Sequence, residues 1–220
     1  MKKQEFAVIG LGRFGRNLAL TLEQSGHHVL GIDIDEELVQ SVALELTQAV
    51  IVDSTNVDAL RALDIMSFDT VIVAIGTNFE ASIMTTVSLK ELGVKRVICK
   101  APTARQAQIL IRIGADQVIQ PEREAGIRLA QALSTPTLLE KFSLSDDTDY
   151  SIAEFAVPDC LANQTLAQSD VRNRFGINVL VIKHETDVTV NPPPNAVLQT
   201  DDVVVIFGHE EEIQAFSELS

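Results

Sequence analysis

Six short apolar runs alternate with segments of helical spacing through the first 140 residues, and this alternation restricts the fold more tightly than any other feature. The runs cover 6–9, 29–32, 49–52, 70–74, 96–99 and 117–119. Several are apolar at consecutive positions and rich in Val and Ile, as strands covered on both faces are. Between them, Leu18, Ala19 and Leu22 share a helical face, as do Leu38, Val42 and Leu46, and Ile109, Leu110 and Ile113. Six strand–helix units in tandem predict an α/β chain with a Rossmann-like, doubly wound parallel sheet.

Near residues 134–136 the alternation stops. The stretch 143–150 (Ser-Leu-Ser-Asp-Asp-Thr-Asp-Tyr) is polar and acidic and reads as a linker. Beyond it, runs at 150–157, 178–183, 188–190 and 203–207 carry a strand pattern, and 165–174 and 210–219 carry a helical one. The expected organisation is therefore a Rossmann-like nucleotide-binding domain over 1–136, a linker over 137–149, and a small α+β domain over 150–220. A module of about 70 residues is close to the smallest size that supports its own core, so help from dimerisation is expected.

Composition narrows the partners. Thirty-one acidic residues against seventeen basic ones give a net charge of −14. From Lys141 onward there are four bases and fourteen acids, so the C-terminal third carries most of the deficit. Such a surface repels phosphate backbones and anionic headgroups, which disfavours nucleic acid and general membrane-surface binding. Cys99 and Cys160 are the two cysteines, too few for a disulfide framework or thiolate zinc site, and Cys99 reads as a core residue. No run reaches the roughly 18 apolar residues of a membrane span, and the N-terminus does not read as a signal peptide. A soluble chain in a reduced cytosol is expected.

The first strand runs directly into Gly10-Leu11-Gly12-Arg13-Phe14-Gly15, and a helix follows. By itself this spacing is weak; between a strand and a helix, and ahead of a second strand ending at Asp33, it gains meaning. Gly10 permits the tight turn, Gly12 lets backbone approach a pyrophosphate, and Gly15 lets helix pack on strand. The helix N-terminus offers N–H groups and positive dipole to phosphates. Asp33, about 20 residues on, suits ribose hydroxyls and argues against a 2′-phosphate. An adenine nucleotide is expected; the plain alternative is a glycine-rich turn that binds nothing. A redox enzyme needs an acid or base, and His27, His28, His184 and His209 offer little: the first two read as a solvated turn, the others as strand ends. Arg13 serves equally as counter-ion to a terminal phosphate or as a solvated first-turn arginine.

Taken in order, Gly10–Gly15, Asp33-Ile34-Asp35, residues 71–76 (Val-Ile-Val-Ala-Ile-Gly), Lys100-Ala101, Ile113-Gly114-Ala115-Asp116 and Pro121-Glu122 resemble the N-terminal domain of RCK proteins, regulators of K⁺ conductance. The likeness is strongest to soluble KtrA/TrkA-type subunits of bacterial potassium uptake systems. Residues 171–176 and 202–208 look like the family's C-terminal domain. The resemblance implies a non-enzymatic gating-ring subunit: homodimers assembled into an octameric ring, cytoplasmic, and held at the inner face of the membrane by a Ktr/Trk-type K⁺ transporter. ATP and ADP would favour different ring shapes.

By the same resemblance Gly10, Leu11, Gly12, Arg13, Phe14 and Gly15 would hold the phosphates and Asp33, with Ile34 beside it, the ribose. Asp53 and Ser54 would flank adenine, and Ile75, Gly76 and Lys100 would line the nucleotide. Glu122 matches the carboxylate that joins Mg²⁺ or Ca²⁺ between two ATP γ-phosphates across a dimer; without the family it reads as a first-turn helix acid. Some relatives bind cyclic di-AMP in the C-terminal domain, which would involve Arg172, Asn178, Val179 and Pro194. Pro192-Pro193-Pro194 otherwise reads as a stiff loop, and Asp146, Asp147 and Asp149 as solvated linker rather than a Ca²⁺ loop. An NAD(H)-binding redox sensor or small NAD-linked oxidoreductase is the alternative function, and a structural, unsensed nucleotide a third.

Overall fold

A computed structural model describes residues 3–134, 138–144 and 148–219. The expected boundary at 136/137, together with Asp146 and Asp147, lies outside the described residues. The chain divides into two units, Met1–Glu124 and Ala125–Ser220.

In the first unit β1 (Glu5–Ile9), β2 (His28–Asp33), β3 (Gln48–Ile51), β4 (Thr70–Val73), β5 (Val97–Lys100) and β6 (Gln117–Ile119) form one sheet in the order β3-β2-β1-β4-β5-β6. All its pairings are parallel. The consecutive apolar residues of the strands are explained by the two cores they feed. Along β1, Ala7 and Ile9 point into a core closed by Leu60, Leu89 and Leu110. These come from α3 (Val57–Ala62), α4 (Phe79–Glu91) and α5 (Ala104–Arg112). Val8 points the opposite way, to Ala19 and Val39 of α1 (Arg13–Gln24) and α2 (Glu36–Gln40). Side chains alternate across a strand, so a strand buried on both faces has no polar position to give.

The turn between β1 and α1 is fixed by sterics. Gly10 sits at φ +96°, and a Cβ there would lie 3.0 Å from the backbone of Ala74 and Ile75. A Cβ on Gly15 would fall 1.8 Å from the Gly10 carbonyl oxygen, whereas one on Gly12 would meet nothing within 4 Å. The first and third glycines therefore serve the fold, and the second leaves space.

Two expectations, the helix through Leu38, Val42 and Leu46 and the solvated His27, are corrected in this unit. The face shared by Leu38, Val42 and Leu46 is not one helix: α2 ends at Gln40, and tighter turns follow, with Val42 N–H donating to the Val39 carbonyl. Val42 and Leu46 still reach the core. His27 is not a solvated turn residue but is buried, accepting from the Gln4 N–H and meeting the Phe6 ring edge-on. Leu11 buries its side chain completely in the core.

The second unit contains the antiparallel sheet β10-β9-β11-β8-β7. Its strands are β7 (Leu138–Ser143), β8 (Tyr150–Ala156), β9 (Asn178–His184), β10 (Asp187–Val190) and β11 (Val203–His209). Strand β7 occupies what the sequence presents as linker: it pairs with β8, Phe142 opposite Ile152, and polar residues on a half-solvated edge strand hide its pattern. Burial alternates along β8, with Ala153 and Phe155 facing inward. Phe155 and Phe175 both meet Phe216 edge to face, on α9 (Glu210–Ser217). The single helix expected over 165–174 is two, α7 (Leu166–Ser169) and α8 (Val171–Phe175). Asp170 breaks it with a left-handed φ of +48°. Asp202, 1% exposed, is held by His184 Nδ1 at 2.5 Å and the Gln199 N–H at 2.8 Å.

The glycine geometry makes a clear prediction. Gly15→Ala should destabilise the protein by about 3 kcal/mol or more, because a backbone carbonyl cannot move aside. Gly12→Ala should cost less than about 1 kcal/mol, the scale of a helix N-cap change. Urea denaturation of the two variants measures the difference.

Candidate functional site

In the strand order β3-β2-β1-β4-β5-β6 the direction of winding reverses between β1 and β4. Ligands of open α/β sheets bind at the carboxyl ends of strands beside such a reversal. Here the β1–α1 turn, the loop after β4 with Ile75 and Gly76, and Lys100 at the end of β5 all lie on that side.

Helix α1 begins differently from its neighbours. Helices α2, α3, α4 and α5 are each capped by a side chain, from Asp35, Asn56, Asn78 and Thr103. Gly12, the N-cap of α1, has no side chain to supply one, and no acid stands in the first turn of α1. The uncapped N–H groups, the dipole and the open space at Gly12 form a cradle for an anion.

Asp33 does two things. Its Oδ2 accepts the Leu11 N–H at 2.6 Å, and its Oδ1 accepts the Asp35 N–H at 3.0 Å. The carboxylate thus ties the end of β2 to the glycine turn, and its spare lone pairs remain for hydroxyl donors. Leu11 contributes its N–H to this tie, while Ile34 is 68% exposed beside it.

Three charged groups meet at the other side of the turn. Lys100 Nζ donates to Glu122 Oε1 at 2.6 Å and lies 5.6 Å from the centre of the Phe14 ring. A Cβ on Gly76 would lie 3.7 Å from the same Nζ. Glu122 is in the first turn of α6 (Pro121–Ser134). The Lys100 hydrogen bond, its own backbone N–H and the charges of Lys100 and Arg13 hold its carboxyl below the ordinary carboxylate range. Residues distant in sequence therefore gather here: Arg13, Phe14, Gly76, Lys100 and Glu122.

The remaining expected residues are placed less directly. Asp53 turns onto Thr55, whose hydroxyl and N–H both donate to Oδ1 and lower its pKa. Ser54 is buried and shares its hydroxyl with Thr85 of α4 at 2.8 Å. Sequence reasoning missed Thr85, and also Ser82, whose buried Oγ has no hydrogen-bond partner. The interrupted polar stripe of α4, Ser82, Thr85, Thr86 and Ser88, could have signalled it. In the second unit Arg172, Asn178, Val179 and Pro194 line one pocket of about 300 Å³.

Among the described residues no group of three or more His, Cys, Asp or Glu is arranged to hold a metal ion. Glu122 alone is still suited to Mg²⁺, which is commonly held by one or two carboxylates together with ligand phosphates. No helix among the described residues is long and apolar enough to cross a membrane.

Comparison with known proteins fits this arrangement. The TrkA-N domain model matches residues 6–121 and the TrkA-C domain model residues 152–220. The Ktr system potassium uptake protein A of Bacillus subtilis (strain 168) is 40% identical over 216 residues, 98% of this chain and 96% of that protein. The Ktr system potassium uptake protein C of the same organism is 40% identical over 214 residues, 97% and 96% of the two chains. Among solved structures, the GsuK channel aligns with 99% of this chain and 39% of its own, with a TM-score of 0.72 at 18% identity, a likeness of fold. Both domains in order, and two relatives matched along nearly their whole length, establish that the chain belongs to the RCK family of TrkA-N/TrkA-C proteins, among its KtrA-type members.

Proposed function

We propose that this chain is a cytoplasmic regulatory subunit of a bacterial K⁺ uptake system, and that its first unit senses ATP against ADP. The full-length likeness to two Ktr potassium uptake proteins supports the regulatory role. The observation that carries the nucleotide reading is the gathering of Arg13, Lys100 and Glu122 around an uncapped helix start beside Asp33.

On this reading Asp33 binds the ribose, Gly12 gives the α- and β-phosphates access to backbone N–H groups, and Asp53 with Ser54 borders the base. Arg13 and Lys100 supply positive charge where a third phosphate ends. Glu122 is the residue that would hold a divalent cation, whose charge, when bound, offsets the repulsion between two triphosphates brought together by a dimer. Homodimers built into a ring beneath a membrane-embedded K⁺ transporter complete the proposal, with the pocket at Arg172 and Asn178 as the place for cyclic di-AMP. Switching requires only that the two nucleotides differ in affinity for two ring states.

A thermal-shift panel of ATP, ADP, NAD⁺, NADH and cyclic di-AMP, each with and without Mg²⁺, tests the assignment. At a hundredfold excess over the dissociation constant a ligand adds about 2.7 kcal/mol, or roughly 5–10 °C for a chain of this size. ATP with Mg²⁺ should give the largest shift; a dominant NADH response would favour a redox sensor instead.

Two variants divide the phosphate contacts. Arg13→Ala should narrow the preference for ATP over ADP by about tenfold, the loss of one charge-assisted contact. Unchanged discrimination in calorimetric titrations would remove Arg13 from the sensing. Glu122→Gln should make ATP affinity the same with and without Mg²⁺, and a persistent Mg²⁺ effect would place the cation elsewhere.

A further inference from the structure

Lys100 and Glu122 are unequal partners. The lysine side chain is 11% exposed and the glutamate side chain 68% exposed, yet their charged atoms stand 2.6 Å apart. Among the described residues Glu122 is the acceptor the structure gives Lys100. The ammonium also lies near the Phe14 ring and the backbone at Gly76. An ammonium so far withdrawn from water needs an anion, and losing its partner without replacement is costly. The glutamate has no such need, since water and the first turn of α6 accommodate its charge. Lys100 is the fixed member of the pair and Glu122 the removable one.

We propose that Glu122 is an internal counter-ion that occupies the place of the terminal phosphate on Lys100, so that a polyphosphate must displace it to bind. This rests on the nucleotide reading of the site given above. The carboxylate and a phosphate offer the same ligand chemistry, anionic oxygens at hydrogen-bond distance, and cannot both be served by one withdrawn ammonium. A divalent cation that draws on the Glu122 carboxylate frees Lys100 at the same moment. Cation dependence then has two sources: new charge at the phosphates, and release of a lysine already committed. Adenosine, which has no phosphate, is indifferent to the exchange. Lys100 thereby sets specificity for phosphate number, and Glu122 sets its threshold.

The test is a double-mutant cycle on the full chain, titrating ATP and adenosine in EDTA by calorimetry. Wild type, Glu122→Gln, Lys100→Met and the double variant are compared, and melting without nucleotide verifies that each is folded. Methionine keeps an unbranched stem on Phe14. Glu122→Gln should bind ATP about tenfold more tightly than wild type in EDTA, with adenosine unchanged; tenfold corresponds to about 1.4 kcal/mol. In the Lys100→Met background the same change should alter ATP affinity by less than about threefold.

An equal gain in both backgrounds would mean that the glutamate repels phosphate through space without holding the lysine, and would overturn the exchange. No gain in EDTA would reduce Glu122 to a cation ligand and overturn it as well. If no variant binds ATP with or without Mg²⁺, the nucleotide reading itself fails, an outcome distinct from the other two.

Discussion

The Gly10 carbonyl oxygen lies 1.8 Å from where a Cβ of residue 15 would stand, so the first turn of α1 can seat itself on the end of β1 only because that Cβ is missing. The carboxylate of Asp33 fastens the same turn from the next strand through the Leu11 N–H. Leu11, fully buried, fills the space beneath and lies close to Gly31, whose own Cβ would come 3.2 Å from a Leu11 methyl. A steric contact, a charge-assisted hydrogen bond and a core side chain thus hold one short segment at one height. The direction of α1 follows, and with it the positions of Arg13 and Phe14. Phe14 in turn forms one wall of the space into which Lys100 extends.

An acidic protein proposed to bind a polyanion poses a problem that this arrangement would resolve locally. The chain carries −14 overall, and exposed charges farther apart than about 8–10 Å are largely screened at physiological salt. What a phosphate meets is decided by the nearest groups: two cations, one acid and an uncapped helix start with no first-turn acid. The surplus acids concentrate in the C-terminal third. Keeping Glu122 beside Lys100 also stops a largely covered cation from standing unpaired when no anion is present.

The central strands β1, β2 and β4 of the first unit were legible because they are buried on both faces, which forces unbroken apolar runs. The glycine turn was legible because its spacing encodes a steric requirement. Features carried by one face, or by a single contact, were not. Strand β7 has polar residues on an edge and reads as linker, and the left-handed Asp170 inside 165–174 has no period to betray it. His27 looks like a turn residue because nothing local announces the Phe6 ring and Gln4 N–H that cover it. The same limit applies at the site. The family resemblance offers Arg13, Lys100 and Glu122 together as candidates, but only folding reveals that Lys100 and Glu122 are already paired, or that the hydroxyls of Ser54 and Thr85 share a hydrogen bond.

On the proposed reading, discrimination between ATP and ADP is located beyond the second phosphate, because both nucleotides would present the same adenosine to Asp33 and the same first phosphates to the turn at Gly12. The groups available there are Arg13, Lys100 and Glu122, and they differ in what they are attached to. Arg13 opens α1, whose position is fixed by the Gly15 contact, and Lys100 ends a strand inside the sheet, so both are anchored. Glu122 alone belongs to the first turn of α6, the helix within which the boundary between the two units falls. Of the three, it is the one that stands on a segment leading out of the first unit. A sensing residue has to be both responsive to the ligand and connected to what moves, and on the proposed reading an exposed acid paired with Lys100 on such a helix would meet both conditions.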